Sequence, residues 1–224
     1  MNEFPIRDTV QAEFADSWQQ LRKPGAWWTA AERLAMIEEA RHALQCSLCA
    51  ERAQALSPNS VQGAHDHLGK LPEAAVDVIH RMRTDSGRLT HAWFDSIVPS
   101  QLSQEAYIEI VGTIGTSVVL DTWTMSTSGE LQPLPQPQAG KPTNEASEPV
   151  VEDGAWVPIL KVSAEQRPMS PNIMRSMALV PNIRMLFMKT FGQHYMLSGM
   201  KLSLARTQIE LIAARMSALN QCYY

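Results

Sequence analysis

Two of the chain's three cysteines stand close together in the run Cys46-Ser-Leu-Cys49. Three cysteines are too few for a disulfide scaffold, and in a reducing compartment a C-x2-C pair does redox or metal chemistry. On a helix that spacing sets the sulfurs about one turn apart, near enough to close a disulfide. Thiol chemistry also needs a group that takes or relays a proton. At about 100° per residue, Glu32 and Glu39 fall on the side of Cys46 and Glu38 on the side of Cys49. His42, four residues before Cys46, and His65 and His67 further on are the candidate relays. The charge of Arg52 would lower the pKa of Cys49. Each residue also has a plainer reading: Glu32 as a helix cap, Glu38, Glu39 and Arg52 as surface charges, His65 and His67 as loop histidines, and His80 and His91 as helix-face or packing residues. As metal ligands, Cys46, Cys49, His65 and His67 number four, but C-x2-C-x15-H-x-H departs from common zinc-finger spacing.

The elements that must carry these residues read as helices. Val10, Phe14 and Trp18 recur every four residues and predict an amphipathic helix from about Thr9 to Leu21, ended by Pro24-Gly25. Thr29-Ala-Ala-Glu32 has capping-box spacing and opens a helix that runs to about Ala55 with no Gly or Pro inside it, so Cys46 and Cys49 ride on one uninterrupted helix. Gly63-Ala-His-Asp-His-Leu-Gly69 is a polar connector. Pro72 opens a helix to about Arg83, and Gly87 precedes another with Leu89, Trp93 and Ile97 on its face. Ser103 caps a long helix to about Thr127, in which Gly112 and Gly115 admit the close approach of another helix.

Residues 1–130 therefore predict an all-α bundle. Residues 131–153 are a Pro-rich linker with no helical or strand period. Residues 154–224 restart helices at Ser170-Pro171 and Pro181, with Ser203 as cap of the last, and form a half-domain that leans on the first part or on another subunit.

With 45% hydrophobic residues the chain can build a core of ordinary size, and a net charge of -4 gives it no broad basic surface for nucleic acid. No run of about 18 apolar residues occurs, and Met1-Asn-Glu-Phe-Pro5 lacks the basic and apolar regions of a signal peptide. The expectation is a cytoplasmic chain with neither nucleic acid nor membrane among its partners.

The terminal stretch offers a second constellation. Glu210 stands twelve residues before Cys222 on an apolar-patterned helix, and Glu32 to Cys46 echoes that run with an acid, an apolar stretch and a terminal Cys. The pattern E-x11-C-x2-C-x3-H on a helix is the thiol peroxidase motif of the alkylhydroperoxidase (AhpD-like) and carboxymuconolactone decarboxylase-like family, and Glu210 and Cys222 sit at its first two positions. Leu102-Ser-Gln-Glu-Ala-Tyr-Ile-Glu-Ile-Val-Gly112 resembles the closing helix of a family domain, and Pro171-Asn-Ile-Met174 with Tyr195-Met-Leu-Ser-Gly199 resembles the lead-in to the next. The resemblance extends over about Trp27 to Tyr224.

That resemblance implies an AhpD-like helical bundle, one nearly complete domain followed by the first half of a second. The motif's second Cys, or a selenocysteine read from a UGA codon, and its His would follow Tyr224. It implies thiol-dependent peroxidase activity with a hydroperoxide substrate, a thiol or dithiol reductant, no bound cofactor or metal, and a homo-oligomer. The family order of roles makes Cys49 the attacking thiol and Cys46 the resolving one. The family His would fall at Ala53, so the relay must come from elsewhere among Glu32, Glu38, Glu39, His42, His65 and His67. The alternatives are a lactone decarboxylase as in the family's other branch, a structural zinc protein, and a helical assembly module with an idle C-x2-C.

Overall fold

The computed structural model describes residues 6–170, 172–193 and 203–219. The fold among them is all-α, with one ribbon of two-residue strands. Helix α1 (Asp8–Leu21) buries Val10, Phe14, Trp18 and Leu21, the apolar stripe legible in the sequence. Helix α2 (Ala30–His42) opens on a complete capping box: the Thr29 hydroxyl accepts from the Glu32 backbone N–H, and the Glu32 carboxylate accepts from the Thr29 N–H.

The expected continuation of α2 to Ala55 does not occur. A 3-10 turn, Ala43–Gln45, ends it, and Cys46 is extended, at φ -70° and ψ 126°, as the N-cap of a separate helix α3 (Ser47–Gln54). No Gly or Pro marks the break, because the new helix start is satisfied from a distance. Asp66 accepts from both the backbone N–H and the hydroxyl of Ser47, filling an orphan donor of the first turn from nineteen residues away. Ser57 to Leu71 then crosses back, and α4 (Glu73–Asp85) packs Ala75, Val76, Val78 and Ile79 into the core. A short helix α5 (His91–Ile97) is capped by Thr90.

Helix α6 (Gln104–Thr127) is the central rod, capped by Ser103, whose hydroxyl accepts from the Ala106 N–H. A Cβ at Gly112 would lie 2.5 Å from Ile183 Cγ1, and one at Gly115 would lie 3.1 Å from Phe187 Cε2. Both glycines thus face α8 (Pro181–Gly192), the approach their spacing predicts.

The Pro-rich segment runs extended along the bundle. Its backbone N–H groups donate from Gln138 to Arg22, from Thr143 to Gly25, from Asn144 to Ala26 and from Glu148 to Ala178. Strands β1 (Val150–Val151) and β2 (Ile159–Leu160) then pair antiparallel, Val150 opposite Leu160, before the one-turn helix α7 (Asn172–Arg175). Leu179, Val180, Ile183 and Leu186 join the same apolar core as α1, α2, α4 and α6, and a buried hydrogen bond of 2.7 Å links Ser17 to Thr190. Residues on both sides of the 131–153 segment share that core.

The final helix α9 begins at Arg206, not at a Ser203 cap, and Gln208 accepts from the Ala205 N–H in its place. It buries none of its residues. No helix among the described residues is long and apolar enough to cross a membrane.

Candidate functional site

Beside the main core lies a smaller cluster of Cys46, Leu48 and Cys49, packed on Val61. The start of α3 presents both thiols, and both are buried and free. The facing wall is α4. His80, in the middle of its buried stripe, sets Nδ1 3.3 Å from Cys49 Sγ. His65, from the connector, sets Nδ1 3.5 Å from Cys49 Sγ and 3.6 Å from Cys46 Sγ. The two imidazole rings lie 4.3 Å apart, centroid to centroid.

Each histidine is held from behind by a carboxylate. His80 Nε2 is 2.9 Å from Glu39 Oε1, in a pair whose residues are both 0% exposed. The other Glu39 oxygen accepts from the Leu68 N–H, which ties the connector to α2. His65 Nε2 is 2.9 Å from Asp77 Oδ1, and Arg52 approaches the same oxygen at 3.4 Å. The Trp93 indole donates to the other Asp77 oxygen at 2.7 Å. Arg88 braces the arrangement by donating to the carbonyls of Ala55 and Arg52 at the end of α3.

The surroundings drive the two histidines in opposite directions. Burial works against charge on His65, but Asp77 and then the two sulfurs outweigh it and raise the ring to about 10. For Asp77 burial favours the neutral acid, and the donors His65 and Trp93 overcome it, holding the carboxyl at about 2. His80 is lowered, chiefly by burial; Glu39 opposes this and the charge of His65 adds to it. Burial also works against ionisation of Cys46, yet the Cys49 backbone N–H and His65 together hold its thiol below the ordinary value.

These directions favour the protonated form of His65, with Nε2 toward Asp77 and Nδ1 toward the sulfurs, and the neutral form of His80. Arg52 Nη1 also lies 3.2 Å from His65 Nε2. A neutral His80 whose Nε2–H donates to Glu39 turns its Nδ1 lone pair to Cys49. Such an arrangement can supply a cation that stabilises a thiolate and a base that makes one.

A comparison with family models, curated proteins and solved structures finds no match to this chain. The site is known by its geometry alone.

The sequence-derived candidates divide sharply. Cys46, Cys49, His65 and Glu39 come together, Glu39 through His80 rather than beside Cys46. Glu32 is engaged in the capping box. Glu38 pairs with Lys70 at 2.6 Å on the surface. His67 is exposed and accepts from the Gly69 N–H. His42 ends α2 and makes no hydrogen bond to either thiol, because the break after it turns Cys46 away from the helical register on which their contact depended. Arg52 reaches Asp77 and not a sulfur. Glu210 lies on α9, paired with Arg206, and Cys222 lies outside the described residues.

Sequence reasoning passed over His80, Asp77 and Trp93. His80 is no bland packing residue: it is buried with its two ring nitrogens directed at Cys49 and Glu39. The available signal was a histidine within the apolar run Ala74-Ala-Val-Asp-Val-Ile-His80, where a buried polar ring demands partners.

Proposed function

We propose that the chain is a thiol-dependent peroxidase that reduces a hydroperoxide with the Cys46–Cys49 dithiol. The observation that carries this reading is His80 Nδ1 at 3.3 Å from Cys49 Sγ, with Glu39 behind the ring. His80 takes the Cys49 proton. The thiolate sulfur attacks one peroxide oxygen, the O–O bond breaks, and the leaving alkoxide or hydroxide takes up that proton from His80 Nδ1. Cys49 becomes a sulfenic acid. The Cys46 sulfur then attacks it, the sulfenic oxygen leaves as water, and a disulfide closes. Two equivalents of a small thiol, or one dithiol, restore the pair and leave as their own disulfide. The C-x2-C resemblance to the AhpD-like family supports the same roles, and the reading sets the chain in a reducing compartment such as the cytoplasm.

One observation favours reversed roles. Cys46, not Cys49, stands at the N-terminus of α3, a setting that stabilises a thiolate. The test is consumption of hydrogen peroxide and an organic hydroperoxide, with a thiol donor, by wild type, Cys46→Ser and Cys49→Ser. Turnover must vanish in both variants, and the variant that still reacts once with peroxide retains the attacking sulfur. A wild type that consumes peroxide no faster than free cysteine overturns the proposal.

Self-association belongs to the same reading. Leu211, Ile212, Met216 and Leu219 of α9 are exposed, an apolar face that a second copy would cover. Sedimentation of wild type beside Leu211→Glu tests it.

A further inference from the structure

The thiol pair and the two histidines form one inward-facing donor set. Cys46 Sγ, Cys49 Sγ, His65 Nδ1 and His80 Nδ1 all lie within 4.8 Å of one another. A tetrahedral zinc ion with Zn–S near 2.3 Å and Zn–N near 2.0–2.1 Å requires sulfur to nitrogen edges of roughly 3.5–3.6 Å. The three such edges recorded here are 3.6, 3.5 and 3.3 Å. The remaining edges lie within 4.8 Å, so an ion at the centre would be met by all four atoms after movements of about an ångström or less.

A second observation is independent of the donors. Both histidines turn the ring nitrogen not facing the sulfurs to a carboxylate, His65 to Asp77 and His80 to Glu39, each at 2.9 Å. Metal-ligating histidines use such a carboxylate to fix ring orientation and raise ligand basicity. The carboxylates are themselves anchored, Glu39 by the Leu68 N–H and Asp77 by the Trp93 indole. Two thiolates and two imidazoles are a soft, four-coordinate set that selects zinc over magnesium or calcium.

We propose that Cys46, Cys49, His65 and His80 bind one Zn2+ ion in the reduced chain, and that oxidation of the dithiol by a hydroperoxide releases it. Binding stands on the donor geometry alone; release rests on the peroxidase reading. In the release step two zinc-bound thiolates, one hydroperoxide and two protons from solvent give the Cys46–Cys49 disulfide, one alcohol, one water and free Zn2+. The sulfurs are oxidised, the peroxide oxygens are reduced, and the ion leaves because a disulfide no longer offers thiolate ligands.

The test uses the full chain, reduced and stripped of metal, titrated with Co2+ and then Zn2+. One Co2+ per chain should bind with the intense visible bands of a tetrahedral site and a thiolate charge-transfer band, and Zn2+ should bleach both. X-ray absorption of the zinc form should show two sulfur and two nitrogen neighbours. Asp77→Asn, which leaves all four donors in place, should weaken Zn2+ binding by roughly 10–100-fold, while His67→Ala should bind as wild type does. Weak octahedral cobalt bands, a donor set without two sulfurs and two nitrogens, or undiminished affinity in folded His65→Ala overturns the site. Peroxide consumption by metal-free protein, followed in parallel, reads the peroxidase proposal separately. Cobalt bands without turnover retain the metal site alone, and turnover without cobalt bands retains the peroxidase alone. Addition of peroxide to the zinc form should liberate one Zn2+ per chain to a colorimetric chelator, and zinc retained after the disulfide has formed overturns the release step.

Discussion

His80 joins Cys49 to Glu39 through its two ring nitrogens, standing 3.3 Å from the sulfur and 2.9 Å from the carboxylate, with histidine and glutamate both fully buried. A neutral imidazole oriented in this way is a preformed base for the thiol. His80→Gln in metal-free protein is expected to lower kcat/KM for peroxide by roughly 10²–10⁴-fold, the usual contribution of a positioned proton acceptor. Steady-state assays across pH 6 to 9 check it, and an unchanged kcat/KM in folded His80→Gln removes the base role.

Glu39 carries structure as well as orientation. Glu39→Ala leaves the buried His80 Nε2–H without its acceptor and frees the Leu68 N–H at the protein's edge. The expected cost is about 1–3 kcal/mol, chiefly from the orphaned His80 donor, measured by urea unfolding. Glu38→Ala, one residue away but paired with Lys70 at the surface, should change stability by roughly 0.5 kcal/mol or less.

The roles of the two sulfurs are separable by trapping. If Cys49 attacks, Cys46→Ser exposed to one equivalent of peroxide accumulates a sulfenic acid on Cys49, and Cys49→Ser stays reduced at Cys46. Mass spectrometry of dimedone-treated protein reads this directly. Wild type should instead lose two hydrogens across the peptide holding both cysteines.

Asp77 links stability to acid. Its carboxyl is held at about 2, against an ordinary 3.8, so the folded state favours the ionised form. Its contribution is fully present above pH 4 and is lost as pH falls from about 4 toward 2; the gap between the two values corresponds to about 2 kcal/mol. Wild type should therefore exceed Asp77→Asn in stability by that order above pH 4, and the two should converge near pH 2. Denaturant titrations of chelator-treated protein at several pH values measure it, and a difference independent of pH would assign the effect to packing.

The contact between α6 and α8 makes a steric prediction. An alanine methyl at Gly112 would lie 2.5 Å from Ile183 Cγ1 and 3.3 Å from Met177 Sδ. Gly112→Ala should destabilise the chain by about 1–3 kcal/mol through overpacking, despite the better helix propensity of alanine. Adding Ile183→Ala should recover part of that loss, and strictly additive effects would mean that the two residues do not press on each other.

Some of this molecule is written in local sequence. The all-α class, the Thr29 capping box, the Ser103 cap and the apolar stripe of α1 follow from periodicity and end chemistry, which act over a few residues. Gly112 and Gly115 likewise announced a close helix contact, although not that α8 would fill it. Cys46 and Cys49 were visible as a dithiol because their chemistry needs only their own spacing.

The rest depends on residues remote in the chain. The break between α2 and α3 carries no Gly or Pro; Asp66, nineteen positions beyond Ser47, satisfies the new helix start, and the break moves both cysteines out of the register on which helical geometry had placed Glu32 and His42 beside Cys46 and Glu38 beside Cys49. His80 reads in sequence as one more position in a buried stripe. Only the packing of α4 against α2 and α3 gives it Glu39 on one nitrogen and Cys49 on the other, 41 and 31 residues away. Hydrogen bonds at such separations leave no period in the sequence. Residue types determined that this protein could do thiol chemistry; the crossing of three helices and one connector decided which base, which cation and which carboxylates surround the sulfurs.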